Sequence, residues 1–85
     1  MWFKKKEKIK RFINYYEVHI NLVANYAGCR FSSEEYKDAK IEAEKYRDMV
    51  VSKVKKGKLF SLKSYNGIVF INPINVVSIY IEYTQ

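Results

Sequence analysis

The sequence predicts an α+β fold in which a small antiparallel sheet packs on one long helix, and three observations carry that prediction. Apolar runs within residues 58–85 are punctuated by Asn66-Gly67 and Asn72-Pro73, whose backbone preferences force chain reversals. Within about 33–56, Tyr36, Ala39, Ala43, Tyr46, Val50 and Val54 recur at spacings of three or four, one stripe of a helix. Residues 16–23 alternate instead, with Tyr16, Val18, Ile20 and Leu22 on one side and Glu17, His19 and Asn21 on the other.

Taken in order, residues 1–12 read as a basic arm or short helix. Residues 16–23 read as a strand, returning through a turn at 25–28 into Cys29-Arg30-Phe31. The rival reading is a helical hairpin followed by the β-meander, because Ile9, Ile13, Tyr16, Ile20, Val23 and Ala27 also form a helical stripe closed by Gly28. The long helix is expected to start from a capping box, Ser32 as N-cap with Glu35 three residues on. Its first turns are acidic, its last turn carries Lys53, Lys55 and Lys56, and Gly57 supplies the left-handed stop. A three-stranded meander follows: Leu59 to Leu62, then Ile68 to Ile71, apolar on both faces and so expected at the sheet's centre, then Val76 to Tyr83. On the last strand Val77, Ile79 and Ile81 share one face, with Ser78, Tyr80 and Glu82 on the other.

Bulk properties bound the function. A chain of 85 residues makes a single domain, 1–85. It buries roughly 60–65% of its unfolded surface, enough for one modest core. A hydrophobic content of 48% with three Gly and one Pro argues against disorder. One cysteine, Cys29, cannot form an internal disulfide, and one histidine, His19, has no HxxxH or CxxC partner spacing. With no apolar signal core and no run near the ~20 residues that span a bilayer, a cytoplasmic location is expected. No cofactor or metal site is expected.

The formal charge of +7 is unevenly spread. Lys4, Lys5, Lys6, Lys8, Lys10 and Arg11, interrupted by Glu7, follow Trp2-Phe3. Lys53, Lys55, Lys56, Lys58 and Lys63 form a second cluster free of acids. A mildly acidic block lies between them. Such clusters attract polyanions, and aromatics beside lysines can stack on bases while ammonium groups neutralise phosphates. Trp2 and the basic residues of both clusters are therefore the candidates for a nucleic-acid surface. The bland alternative is that lysines at a helix end and on an edge strand complement the dipole and discourage aggregation.

Glu17 beside His19 could pair a general base with its orienter, but nothing nearby marks a nucleophile or electrophile, so a non-enzymatic role is expected. Cys29 reads as a small core-facing side chain. The sheet's surplus of apolar groups points further. One helix covers one face, so the other needs a cover, either the N-terminal segment or another molecule. Val69, Ile71, Val76 and Tyr80 are expected on a face that a protein partner covers, or a second copy in a homodimer.

The stretch from Asn66-Gly67-Ile68-Val69-Phe70-Ile71-Asn72-Pro73 through Ser78-Ile79 resembles a pattern in small accessory proteins of Gram-positive phages and mobile elements. It is also similar to the short β-modules of flagellar FlbD-type proteins. The resemblance covers under a fifth of the chain and transfers no site residues. It implies a bacterial host and an inhibitor or adaptor of a host protein, such as one that processes nucleic acid or acts in defence. The expected function is thus a protein-binding module, with direct nucleic-acid binding as the alternative.

Overall fold

A computed structural model describes residues 13–65 and 67–85. The predicted N-terminal arm, 1–12, and Asn66 of the predicted turn lie outside the described residues. Alternation decides the first element in favour of a strand, β1 (Tyr15–Leu22), which pairs antiparallel with β2 (Asn25–Ser32). A strand sends alternate side chains to opposite faces, so Val18 and Ile20 are fully buried while Glu17, His19 and Asn21 take the other side. The helical hairpin is thereby excluded.

The reversal sits two residues earlier than expected. Register runs unbroken from Tyr15 opposite Ser32 to Leu22 opposite Asn25, leaving Val23-Ala24 as a two-residue loop with Ala24 left-handed at φ 60°. Gly28 lies instead in the middle of β2. It is glycine because another backbone comes close: a Cβ there would stand 2.5 Å from the Val18 carbonyl oxygen.

Helix α1 (Ala39–Lys56) buries Ala39, Ala43 and Val50, with Tyr46 and Val54 partly buried, along the expected stripe. It starts at Ala39, not near residue 33. Ser32 is held extended as the last residue of β2, opposite Tyr15, so it cannot cap a helix. Its carbonyl accepts from the N–H groups of Glu35 and Tyr36, both at 3.1 Å, closing a separate turn. Asp38 caps instead, its Oδ1 accepting from the Ile41 N–H at 3.2 Å. The C-terminus ends as expected on left-handed Gly57, φ 72°, whose N–H bonds the Val54 carbonyl.

After the helix, β3 (Phe60–Ser64) and β4 (Gly67–Ile71) pair, among the described residues, only with each other. A 3-10 turn at Pro73–Asn75 then leads into β5 (Val76–Thr84). The expected three-stranded meander therefore splits. β5 leaves β4 and pairs antiparallel with β1, giving a main sheet of order β2-β1-β5 beside a two-stranded ribbon. The Asn72 side chain accepts from the Ile74 N–H, fixing the 3-10 turn, and Val23 N–H donates to the Asn75 carbonyl at 2.9 Å. This hydrogen bond seats the turn against the β1–β2 loop and aims β5 at β1. Consequently β4 is not central, and among the described residues β3 is its sole strand neighbour.

Helix α1 covers one face of the main sheet. Val18, Phe31, Ala39 and Ala43 form one core cluster, to which Ile79 and Ile81 of β5 add. Ile20, Ala27, Val50, Leu62 and Ile71 form the second, where the ribbon closes the core. Among the described residues no helix is long and apolar enough to cross a membrane.

Candidate functional site

The face of the main sheet away from α1 is polar and aromatic rather than greasy. Directly opposed residues place Tyr80, His19 and Gly28 in one row, with Glu82, Glu17 and Arg30 in the next. His19 Nε2 pairs with Glu82 Oε1 at 2.8 Å, and its Nδ1 shares a 2.6 Å hydrogen bond with the Tyr26 hydroxyl. The imidazole also stacks on Tyr80, centroids 4.8 Å apart. Arg30 donates to Glu17 Oε2 at 3.0 Å and lies over the Tyr15 ring.

The ribbon reaches into this face through Gly28. The Ser64 hydroxyl accepts from the Gly28 N–H at 3.0 Å and donates to its carbonyl at 2.9 Å, while the Tyr65 N–H donates to the same carbonyl. Tyr65 then stacks on Tyr26 and donates its hydroxyl to Glu17 Oε2 at 3.0 Å. Burial draws the Glu17 carboxyl upward, but the hydrogen bonds from Tyr65 and Arg30 and the nearby positive charge outweigh it, leaving Glu17 below the usual carboxylate range. Burial, the Tyr26 hydroxyl and the Glu17 carboxylate hold the Tyr65 phenol firmly protonated.

Glu17, His19 and Glu82 offer three ligating atoms within 4.8 Å of one another. Their chemistry here is that of a cross-strand tie. Glu17 is engaged by Arg30 and Tyr65, and both nitrogens of His19 are engaged as well, so a cation would compete with Arg30 for the carboxylate. Cys29 lies on the opposite, helix-facing side, packed against the core, where burial pushes its thiol up.

Among the described residues, the exposed apolar side chains gather elsewhere. In the ribbon, Phe60, Leu62 and Ser64 pair with Ile71, Val69 and Gly67 on the core side, and Ser61 and Lys63 pair with Phe70 and Ile68 on the outer side. Phe70 is 74% exposed and Ile68 67%. Further along the chain, Ile74 is 81% exposed and Val77, the extra residue of a bulge opposite Asn21 and Leu22, 66%.

Comparison of the chain with family models, with characterised proteins and with solved structures finds no match. The surfaces must therefore be read from their own chemistry.

The four residues expected on a docking face are divided by the fold. Ile71 is 2% exposed and belongs to the core. Val69 and Val76 are half-buried and pack against the same cluster. Tyr80 is exposed, but on the polar face beside His19. The missed residues are Ile68 and Phe70, the opposite parity of the same strand, together with Ile74 and Val77. Four successive apolar residues carry no signal of which parity faces inward; pairing with Leu62 and Phe60 makes that choice. Of the basic candidates, Lys53, Lys55 and Lys56 cluster in the last turn of α1, with Lys58 just beyond it. Lys63 stands on the ribbon's outer face directly opposite Ile68. Trp2, Lys4, Lys5, Lys6, Lys8, Lys10 and Arg11 lie outside the described residues.

Proposed function

We propose that this chain is a non-enzymatic binding module that docks on another protein through the outer face of the β3–β4 ribbon. The observation that carries this reading is the pair Ile68 and Phe70. These are large apolar side chains left mostly in water on one face, where burial would return about 25 cal/mol per Å² of area removed from solvent. Lys63 borders them across the ribbon, and Lys58 precedes β3 by two residues. That border favours a partner whose apolar surface is rimmed by carboxylates, attracted by charge and held by the apolar centre. The likeness to phage and mobile-element accessory proteins would make that partner a host protein which the module inhibits or adapts.

The test is a paired capture from the native host with the tagged chain and its Ile68→Ser, Phe70→Ser double variant. Both substitutions lie on the solvent side, so the variant keeps its circular dichroism spectrum. The proposal expects a protein retained by the parent and lost by the variant. Equal retention by both would refute it.

Phe70, on the same outer face as Lys63 and diagonal to it across the ribbon, also supports a second reading, in which a base stacks on the ring while the ammonium neutralises phosphate. Oligonucleotide binding at low salt that weakens steeply as salt rises would favour it; no binding at low salt excludes it.

A further inference from the structure

The two outer edges of the main sheet are treated differently. The β2 edge is closed at its midpoint, where Ser64 satisfies both backbone groups of Gly28 and Tyr65 adds a third hydrogen bond. The β5 edge pairs with no further strand among the described residues. It is nine residues long, rich in β-branched and aromatic side chains, and contains neither proline nor lysine. Its one charge is Glu82 and its one irregularity is the bulge near Val77. Natural sheets blunt such edges with charges, especially lysine, with proline, bulges, short length or a covering segment, and here the strand itself carries only Glu82 and that bulge.

We propose that two copies of this chain pair through β5, antiparallel about a two-fold axis at Tyr80, so that their three-stranded sheets join into one continuous sheet. Three features of the strand select this occupant and this register. The midpoint of Val76–Thr84 is Tyr80, so this axis overlaps the whole strand. It places Glu82 opposite Ser78 of the other copy, avoiding the like-charge opposition that destabilises a ladder. It also places Ile79 opposite Ile81, both half-buried on the helix side, so their remaining apolar surface is covered by each other. On the polar face the Tyr26–His19–Tyr80 contacts continue into the second Tyr80, and both α1 helices stand on the same side. The interface is isologous, as a closed dimer requires. It uses a surface separate from Ile68 and Phe70, so it neither needs nor excludes the docking proposed above.

The experiment uses the full chain in analytical ultracentrifugation. Parent protein is expected to sediment as a dimer in reversible exchange with monomer. Ser78→Glu sets two symmetry-related pairs of carboxylates against each other and should raise the dissociation constant about tenfold. Ser78→Lys places a cation opposite Glu82 and should not weaken the dimer. Since both variants lose the same Asn21 hydrogen bond, a common folding effect would move them together. Register is read with Tyr80→Cys in a Cys29→Ser background. Directly opposed residues lie about 4.5–5.5 Å apart in Cα, within disulfide range, so mild oxidation should link the two copies. A parent that remains monomeric, a dimer indifferent to the sign of the charge at position 78, or a Tyr80→Cys dimer that oxidation fails to cross-link would each overturn the proposal.

Discussion

The Glu17 carboxylate is where β1, β2 and the end of β3 are held together. It receives the Arg30 guanidinium from one neighbour and the Tyr65 hydroxyl from the other, and its side chain is only 17% exposed. Its folded-state pKa lies below the ordinary 4.5, so the unfolded chain binds its proton more readily. The contribution to stability is complete above that ordinary value and fades as pH falls through the lower folded one. Glu17→Gln should cost about 1–2 kcal/mol at neutral pH and should flatten the acid side of the stability curve. Urea unfolding at neutral pH and at a series of values below 4.5 checks this; parallel curves for parent and variant would contradict it. Gly28 makes the same junction possible by steric means. Gly28→Ala drives a methyl against the Val18 carbonyl in the sheet interior, where the backbone cannot yield, and more than about 2 kcal/mol should be lost. Gly57→Ala is the contrasting case. Nothing lies near its Cβ position, so only the left-handed φ is penalised, at about 1 kcal/mol.

At the scale of elements, two substitutions separate the expected helix start from the observed one. Asp38→Ala removes the oxygen that satisfies Ile41 N–H and should cost about 1 kcal/mol, whereas Glu35→Ala, in the exposed turn before the helix, should stay within about 0.5 kcal/mol. Thermal melts of both variants decide the matter, and the reverse order would restore the capping box at Ser32. The difficulty in reading this boundary is physical: a serine followed by a glutamate at the third position satisfies a local rule, but Ser32 is committed to the β2 ladder opposite Tyr15. Where one local signal had no tertiary competitor, the sequence was sufficient. The stripe Ala39, Ala43, Val50 faces the core, and Gly57 ends the helix. The first strand was legible only when alternation was joined to its β-branched and aromatic content, because a helical stripe ran through the same residues. What could not be read was pairing between distant segments. Nothing within Val76–Thr84 states that its partner is β1 rather than β4, since the choice depends on the 3-10 turn bonding back to Val23. The candidate site suffered from the same gap. The cross-strand His19–Glu82 tie spans 63 residues, and the inward parity of β4 depends on its register with β3.

For the whole molecule, these connections imply an unequal distribution of stability. β1 has a strand on each side and α1 on one face, so opening its amides requires breaking both ladders and exposing Val18 and Ile20. The ribbon is different. Two strands alone are marginal in water, and this pair is anchored by Leu62 and Ile71 in the core and by the Ser64–Gly28 hydrogen bonds at one end. Its outer face gains nothing from Ile68 and Phe70 while they remain in water. Native-state hydrogen exchange should therefore find the slowest amides in β1, at the free energy of global unfolding, and those of β3 and β4 opening together at a lower one. Gly28→Ala should accelerate exchange in the ribbon, because it strikes the joint on which the ribbon hangs. Exchange in β3–β4 as slow as in β1 would mean that the ribbon and sheet unfold as one unit, and that Ile68 and Phe70 sit on a rigid platform.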